Sequence, residues 1–248
     1  MANQENENQR MYEELKTRLS DERIDLLRRY FEAANNFYKI IPIKRLLRII
    51  NSQNSEPYNE ADFLEYVEIL QNEEHFFAIL GMEELFDDEP ASAPINRLLI
   101  HESLLDFDDY SELLSSKKGR IYFVPEKDAL LAFEDDFYHE ITPQYSAMSD
   151  FCEPIAKISS KMTIEDLMDE LLFIIRGEDS DPFEALDFVN KLSVQLDVKE
   201  KKLPEFIKLY CDLHNNTRNP YLNGFTPNEW LQKTGDKTDS HYLDPEDF

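Results

Sequence analysis

The sequence predicts a mainly α-helical protein of two units, and three observations lead there. Apolar residues recur at spacings of three and four in most segments, the period of an amphipathic helix. Short runs rich in β-branched and aromatic residues, the mark of strands, are confined to the first half. Glycine is scarce, 5 of 248 residues, too few for turn-dense sandwiches, propellers or Gly-rich phosphate loops. An apolar fraction of 42% with 12% aromatics supports a packed core and argues against a disordered chain.

The elements follow in order. Residues 1–18 open polar and become helical near Tyr12. From Ser20 a helix places Ile24, Leu27, Phe31, Ala34 and Phe37 on one stripe, weakening at Asn35 and Asn36. Pro42 punctuates it. A short helix follows with Ile43, Leu46, Leu47 and Ile50 inward and Lys44, Arg45 and Arg48 outward. A third helix begins at the N-cap Asn59, with Asp62 three residues on and Phe63, Val67 and Leu70 as its buried stripe. After a short apolar piece, Phe76 to Leu80, and an acidic loop, Arg97–His101 and Arg120–Val124 read as strands around a short helix near Asp108–Leu114. From Pro125 only helices are expected, at about 126–139, 143–153, 164–176, 182–197 and 204–214. A last short helix holds Trp230. Thr163 with Asp166 caps the helix at 164–176, Asp181-Pro182-Phe183-Glu184 caps that at 182–197, and Thr226-Pro227-Asn228-Glu229 caps the last.

Three helices followed by two or three short strands is the order of a winged-helix unit. The expected organisation is therefore a winged-helix-like unit over 10–124, an all-helical unit over 125–235 and a flexible acidic tail over 236–248.

Charge is the strongest compositional signal. The net charge is −26. Residues 1–58 carry 10 Lys+Arg against 9 Asp+Glu, residues 59–190 carry 8 against 33, and residues 191–248 carry 8 against 10. The middle of the chain thus holds a net of −25, a field that repels nucleic acid and anionic membranes and attracts basic protein surfaces. A solvated face that keeps the protein soluble is the plainer explanation. No apolar run approaches the roughly 18–20 residues that span a bilayer. The polar start, Met1 to Arg10, lacks the apolar stretch of a signal peptide. Two cysteines, Cys152 and Cys211, each in a helical apolar pattern, suit structural thiols in a reducing cytoplasm.

Four places could carry chemistry. Glu134, Asp135, Asp136, His139 and Glu140 would put carboxylates and an imidazole on one face if residues 126–139 were helical, enough to touch a metal. No second such element completes a di-metal site, and no metal or cofactor is expected. Asp212, His214, Asn215, Asn216, Thr217 and Arg218 could serve acid–base work. Asn-rich stretches more often end helices, and Arg218 can simply tie a loop to an acidic neighbour. The cysteines lack zinc or redox spacing. The basic edge Lys44, Arg45 and Arg48 could meet DNA, but Asp62, Glu65 and Glu68 on the following helix would face phosphate.

Two sets of residues resemble a known group. They are Leu213-His214-Asn215-Asn216-Thr217-Arg218 with Asn223-Gly224-Phe225-Thr226-Pro227-Asn228-Glu229, and Tyr122-Phe123-Val124-Pro125 with Thr142-Pro143-Gln144-Tyr145. With Ala34 to Pro42 they resemble uncharacterised cytoplasmic proteins of Gram-positive bacteria and their mobile elements, some of which end in a Cys-rich SEC-C zinc motif. This chain ends Asp244-Pro245-Glu246-Asp247-Phe248, so no zinc site carries over, and the resemblance implies no activity.

The expectation from sequence is a non-enzymatic, cytoplasmic interaction or regulatory protein that binds a basic partner surface. Its candidate contact residues are Asp87, Asp88 and Glu89, Asp106, Asp108 and Asp109, and Glu134, Asp135 and Asp136. Two alternatives are a nucleic-acid mimic that occludes a DNA- or RNA-binding host-defence protein, and a metal-dependent enzyme using the 134–140 cluster.

Overall fold

Among the described residues, six α-helices begin where a side chain (Ser20, Asn59, Thr142, Thr163, Asp181 or Thr226) accepts an orphan amide of the first turn, and the apolar stripes behind such caps build two cores. The computed structural model describes residues 2–87, 89–106, 110–158, 163–177, 181–191, 194–196 and 198–248. It divides into two units, Met1–Gly119 with Val124–Tyr138, and Arg120–Phe123 with His139–Phe248.

The first unit opens with α1 (Ala2–Lys16) and α2 (Asp21–Tyr38), the latter capped by Ser20, whose hydroxyl accepts from the Arg23 amide at 3.4 Å. Then come β1 (Ile40–Pro42), α3 (Ile43–Gln53), α4 (Glu60–Gln71) and β2 (Phe77–Leu80). After β2 stand α5 (Met82–Leu85), a loop, β3 (Leu98–His101), α6 (Ser103–Asp106), α7 (Tyr110–Lys117) and α8 (Lys127–Leu131), the last running into a 3₁₀ turn, Ala132–Glu134. The three strands form one antiparallel sheet in the order β1-β3-β2, with Ile41 and Ile79 both opposite Leu99. From α2 the connectivity is helix, strand, two helices, then two strands separated by the short α5 and a loop.

α2 is the axis of this core. Phe31 meets Phe63 at 5.7 Å and Tyr66 at 5.8 Å between ring centroids, and Phe37 meets Phe133 edge-on at 4.7 Å. Phe31, Phe37 and Phe63 are fully buried, which stabilises the fold by about 1.5–3 kcal/mol each. Asn35 and Asn36 do not weaken α2. They are buried inside it, and the Asn36 amide donates to the Phe133 carbonyl at 3.0 Å.

The second unit comprises α9 (Pro143–Cys152), β4 (Ala156–Ile158), α10 (Ile164–Gly177), α11 (Pro182–Lys191), β5 (Val194–Leu196), α12 (Leu203–Asn215) and α13 (Pro227–Thr234). Its core gathers Met148, Cys152, Leu167, Leu171, Phe206 and Tyr210. The expected caps form. Thr163 and Asp166 bond reciprocally, Asp181 accepts from the Phe183 and Glu184 amides, and Thr226 and Glu229 make a capping box.

Four expectations are corrected. Arg120–Val124 is not a strand: the Phe123 amide donates to the Asn223 carbonyl at 3.0 Å, and Arg120 to Phe123 packs as part of the second unit. The helix at 126–139 stops at Leu131 with its 3₁₀ extension, because Asp135 turns to accept the Phe137 amide. The second unit is not all-helical. β4 pairs antiparallel with β5, placing Lys157 opposite Gln195, and so ends the helix expected over 182–197 at Lys191. Residues 236–248 are not a loose tail. Ser240 is fully buried, the Asn215 amide donates to the Leu243 carbonyl at 2.7 Å, and Trp230 donates its indole N–H to Asp239 at 2.8 Å.

Candidate interaction surface

α4 places its residues by helical period. Phe63, Tyr66 and Leu70 turn into the core, Ala61, Leu64, Glu65, Glu68 and Gln71 share the other side, and the buried Val67 stands between the two. α1 packs along α4, and its Leu15 is buried. The two helices and the turn before β3 border an open cleft of about 590 Å³. Met11 and Glu14 line it from α1, and Pro94 and Arg97 from that turn.

The three carboxylates of α4 have different fates. Asp62 is buried, and its carboxylate accepts from Arg18 Nε at 2.7 Å and from the Asn59 side chain. Burial alone would raise the Asp62 pKa, but the hydrogen bonds from Arg18 and Asn59 outweigh it and hold the group below the ordinary aspartate value. The expectation that Asp62 faces outward is thus corrected. Glu65 takes the other arm of Arg18. Glu68 is exposed, and among the described residues no cation lies within ion-pair distance of it. The basic edge of α3 does face solvent at Lys44 and Arg48.

The residues expected to meet a partner divide in the same way. Asp87 and Glu89 are exposed on the loop between α5 and β3, and Asp106 is exposed at the end of α6. Asp88, Asp108 and Asp109 lie outside the described residues. Asp135 and Asp136 are exposed. Glu134 is not available in the same sense. It receives Arg28 at 2.9 Å and Arg29 at 2.6 Å. Burial would raise its pKa, but hydrogen bonds from Arg29 and Arg28 hold it below the ordinary glutamate value.

The 134–140 cluster does not assemble on one helix. His139 belongs to the second unit, where it lies 3.3 Å from Asp169 and stacks on Tyr145. Glu140 pairs with Arg218 at 3.1 Å. Among the described residues no group of three or more His, Cys, Asp or Glu is placed to hold a metal ion.

Arg218, the most polar feature of the second unit, is consumed by structure. Its guanidinium donates to Glu140 and Glu229 and lies 4.0 Å from the centre of the Phe123 ring. Phe123 in turn meets Phe225 at 5.3 Å. The stretches around Phe123, Arg218 and Asn223–Glu229 thus converge on one packed node. Burial pushes the Cys152 thiol up to about 12 and the Cys211 thiol up to about 11, so both stay protonated and weakly nucleophilic at neutral pH.

Sequence reasoning missed Glu14, Leu64 and Met11. The 61, 64, 65, 68 spacing was the available signal for α4, but nothing local says that α1 lies beside it. No helix among the described residues is long and apolar enough to cross a membrane. No family model, curated protein or solved structure matches the chain.

Proposed function

We propose that this is a non-enzymatic interaction or regulatory protein whose first unit is a winged-helix-like scaffold turned to protein contact. The winged-helix reading is supported by the order α2-β1-α3-α4-β2-β3, in which only the one-turn α5 and a loop intervene between β2 and β3, and by the place of β3 between its two partner strands. In helix-turn-helix proteins the second helix of the motif enters the DNA groove. Here that helix is α4, and its outer side carries Glu65 and Glu68 with Glu14 of α1 alongside. This observation carries the proposal. Carboxylates at that position repel phosphate and favour a basic protein surface. The exposed Asp87, Glu89, Asp106, Asp135 and Asp136 extend the negative field.

The test is capture of the tagged chain's partners at low and high salt, with duplex-DNA binding measured in parallel. Screening lengths fall from ~10 Å at 0.1 M to ~3 Å at 1 M salt, so basic partners are expected to be held at low salt and released at high salt. Retention indifferent to salt, or binding to the duplex, would overturn the reading. Nucleic-acid-binding proteins among the released partners would narrow it to nucleic-acid mimicry.

A further inference from the structure

The cleft beside α4 combines two surface chemistries. Met11, Ala61, Leu64, Val67 and Pro94 give it an apolar lining, and Glu14, Glu65 and Glu68 bring three carboxylates to it against the single cation of Arg97. The nearby cations offset only part of that charge: Glu65 is paired with Arg18, Glu14 meets Arg10 loosely, and Glu68 has no ion-pair partner among the described residues. Arg18 is shared between Asp62 and Glu65. Arg97 sits 3.6 Å from Glu84. Arg10 approaches Glu14 only at 3.5 Å, with both side chains more than half exposed, a geometry that contributes little in water.

We infer that this cleft is the docking site for a cationic amphipathic helix of a partner protein. The inference rests on the proposed preference for basic partners and gives that preference a place. A purely apolar segment would cover the carboxylates without pairing them, at a desolvation cost. A purely polar cation would leave the apolar lining wet. A helix with one apolar side chain on Met11, Leu64 and Pro94, and Lys or Arg one turn to either side, satisfies both. A volume of about 590 Å³ accommodates a few side chains of such a helix.

The experiment titrates the ¹⁵N-labelled full chain with a synthetic Leu/Lys amphipathic helical peptide. A Leu/Glu peptide and a Lys-only peptide serve as controls. Amide shifts are expected at residues 61–71, Met11, Glu14 and Arg97, with the Lys-only peptide binding about tenfold more weakly. Glu68→Lys and Ala61→Trp, both at exposed positions of the lining and the second placing a bulky ring in the cleft, are each expected to weaken the Leu/Lys peptide by about tenfold or more. Shifts elsewhere on the acidic surface, insensitive to both variants, would overturn the cleft while leaving the basic-partner reading standing. Equal binding of the Lys-only peptide would do the same. Failure of both cationic peptides to bind would overturn the cleft, and the salt dependence of partner capture then decides the basic-partner reading separately.

Discussion

Glu134 in the first unit is held by Arg28 and Arg29, and Glu140 in the second is held by Arg218, although the two glutamates stand six residues apart in one acidic stretch. The arginines of the first node are about 40% exposed, whereas Arg218 is 16% exposed and lies against Phe123. Arg28 also has Asp25 and Glu32 as alternatives. Arg218 instead gathers carboxylates from two separate parts of the second unit. The same ion-pair chemistry is therefore a surface trim in one unit and a tie in the other, because the guanidinium of Arg218 is largely buried against Phe123 although its carboxylate partners stay 35% and 38% exposed.

Arg218→Ala should break this comparison most visibly. It removes a largely buried guanidinium from the Phe123 ring and from two partly solvated carboxylates, and is expected to cost about 2–3 kcal/mol, chiefly through lost packing and hydrogen bonds. Denaturant unfolding followed by Trp230, the chain's single tryptophan and part of the same unit, reads the effect. Arg218→Lys is expected to recover little, since an ammonium cannot reproduce the planar fork over Phe123. Asn223→Ala follows at about 2 kcal/mol. Asn223 is fully buried with φ of 52°, and its side chain donates to the Arg120 carbonyl at 3.2 Å. Asn223→Gly, which tolerates that φ, should recover part of the loss in the same unfolding curve.

Glu134→Gln should cost about 1 kcal/mol or less, read by far-UV circular dichroism. Its signature is the pH dependence. Glu134 and Asp62 both titrate below their ordinary values of 4.5 and 3.8 in the folded chain. Their contribution is fully present above those values and is lost as pH falls through the depressed folded ones. The native protein should therefore lose stability on acidification below about pH 4.5, and Glu134→Gln should flatten part of that fall. An unchanged acid profile would mean that the Glu134 node contributes nothing measurable.

Most helices were legible because their signals are local. Ser20, Asn59, Asp181 and Thr226 each cap the helix they precede, and the stripe Phe63, Val67, Leu70 faces the core as its period requires. The strands were harder. Arg97–His101 reads as one from its own residues, but Ile40–Pro42 and Val194–Leu196 are three residues long, too short for alternation to register. Tyr122-Phe123-Val124 has strand composition yet finds its partner in Asn223, a hundred positions away.

The candidate surface was legible as charge but not as a site. The sequence by itself determined that the protein is mainly helical and where its negative charge concentrates, because composition and capping act within one turn of chain. Which carboxylates remain available was decided only by tertiary structure. Asp62 and Glu134 were drawn into ion pairs by arginines 44 and 105 positions distant, while Glu68 was left facing a cleft that exists because α1 folds back along α4. A carboxylate's freedom depends on which cation the fold brings within a few ångströms, and that distance is set by the packing of whole elements.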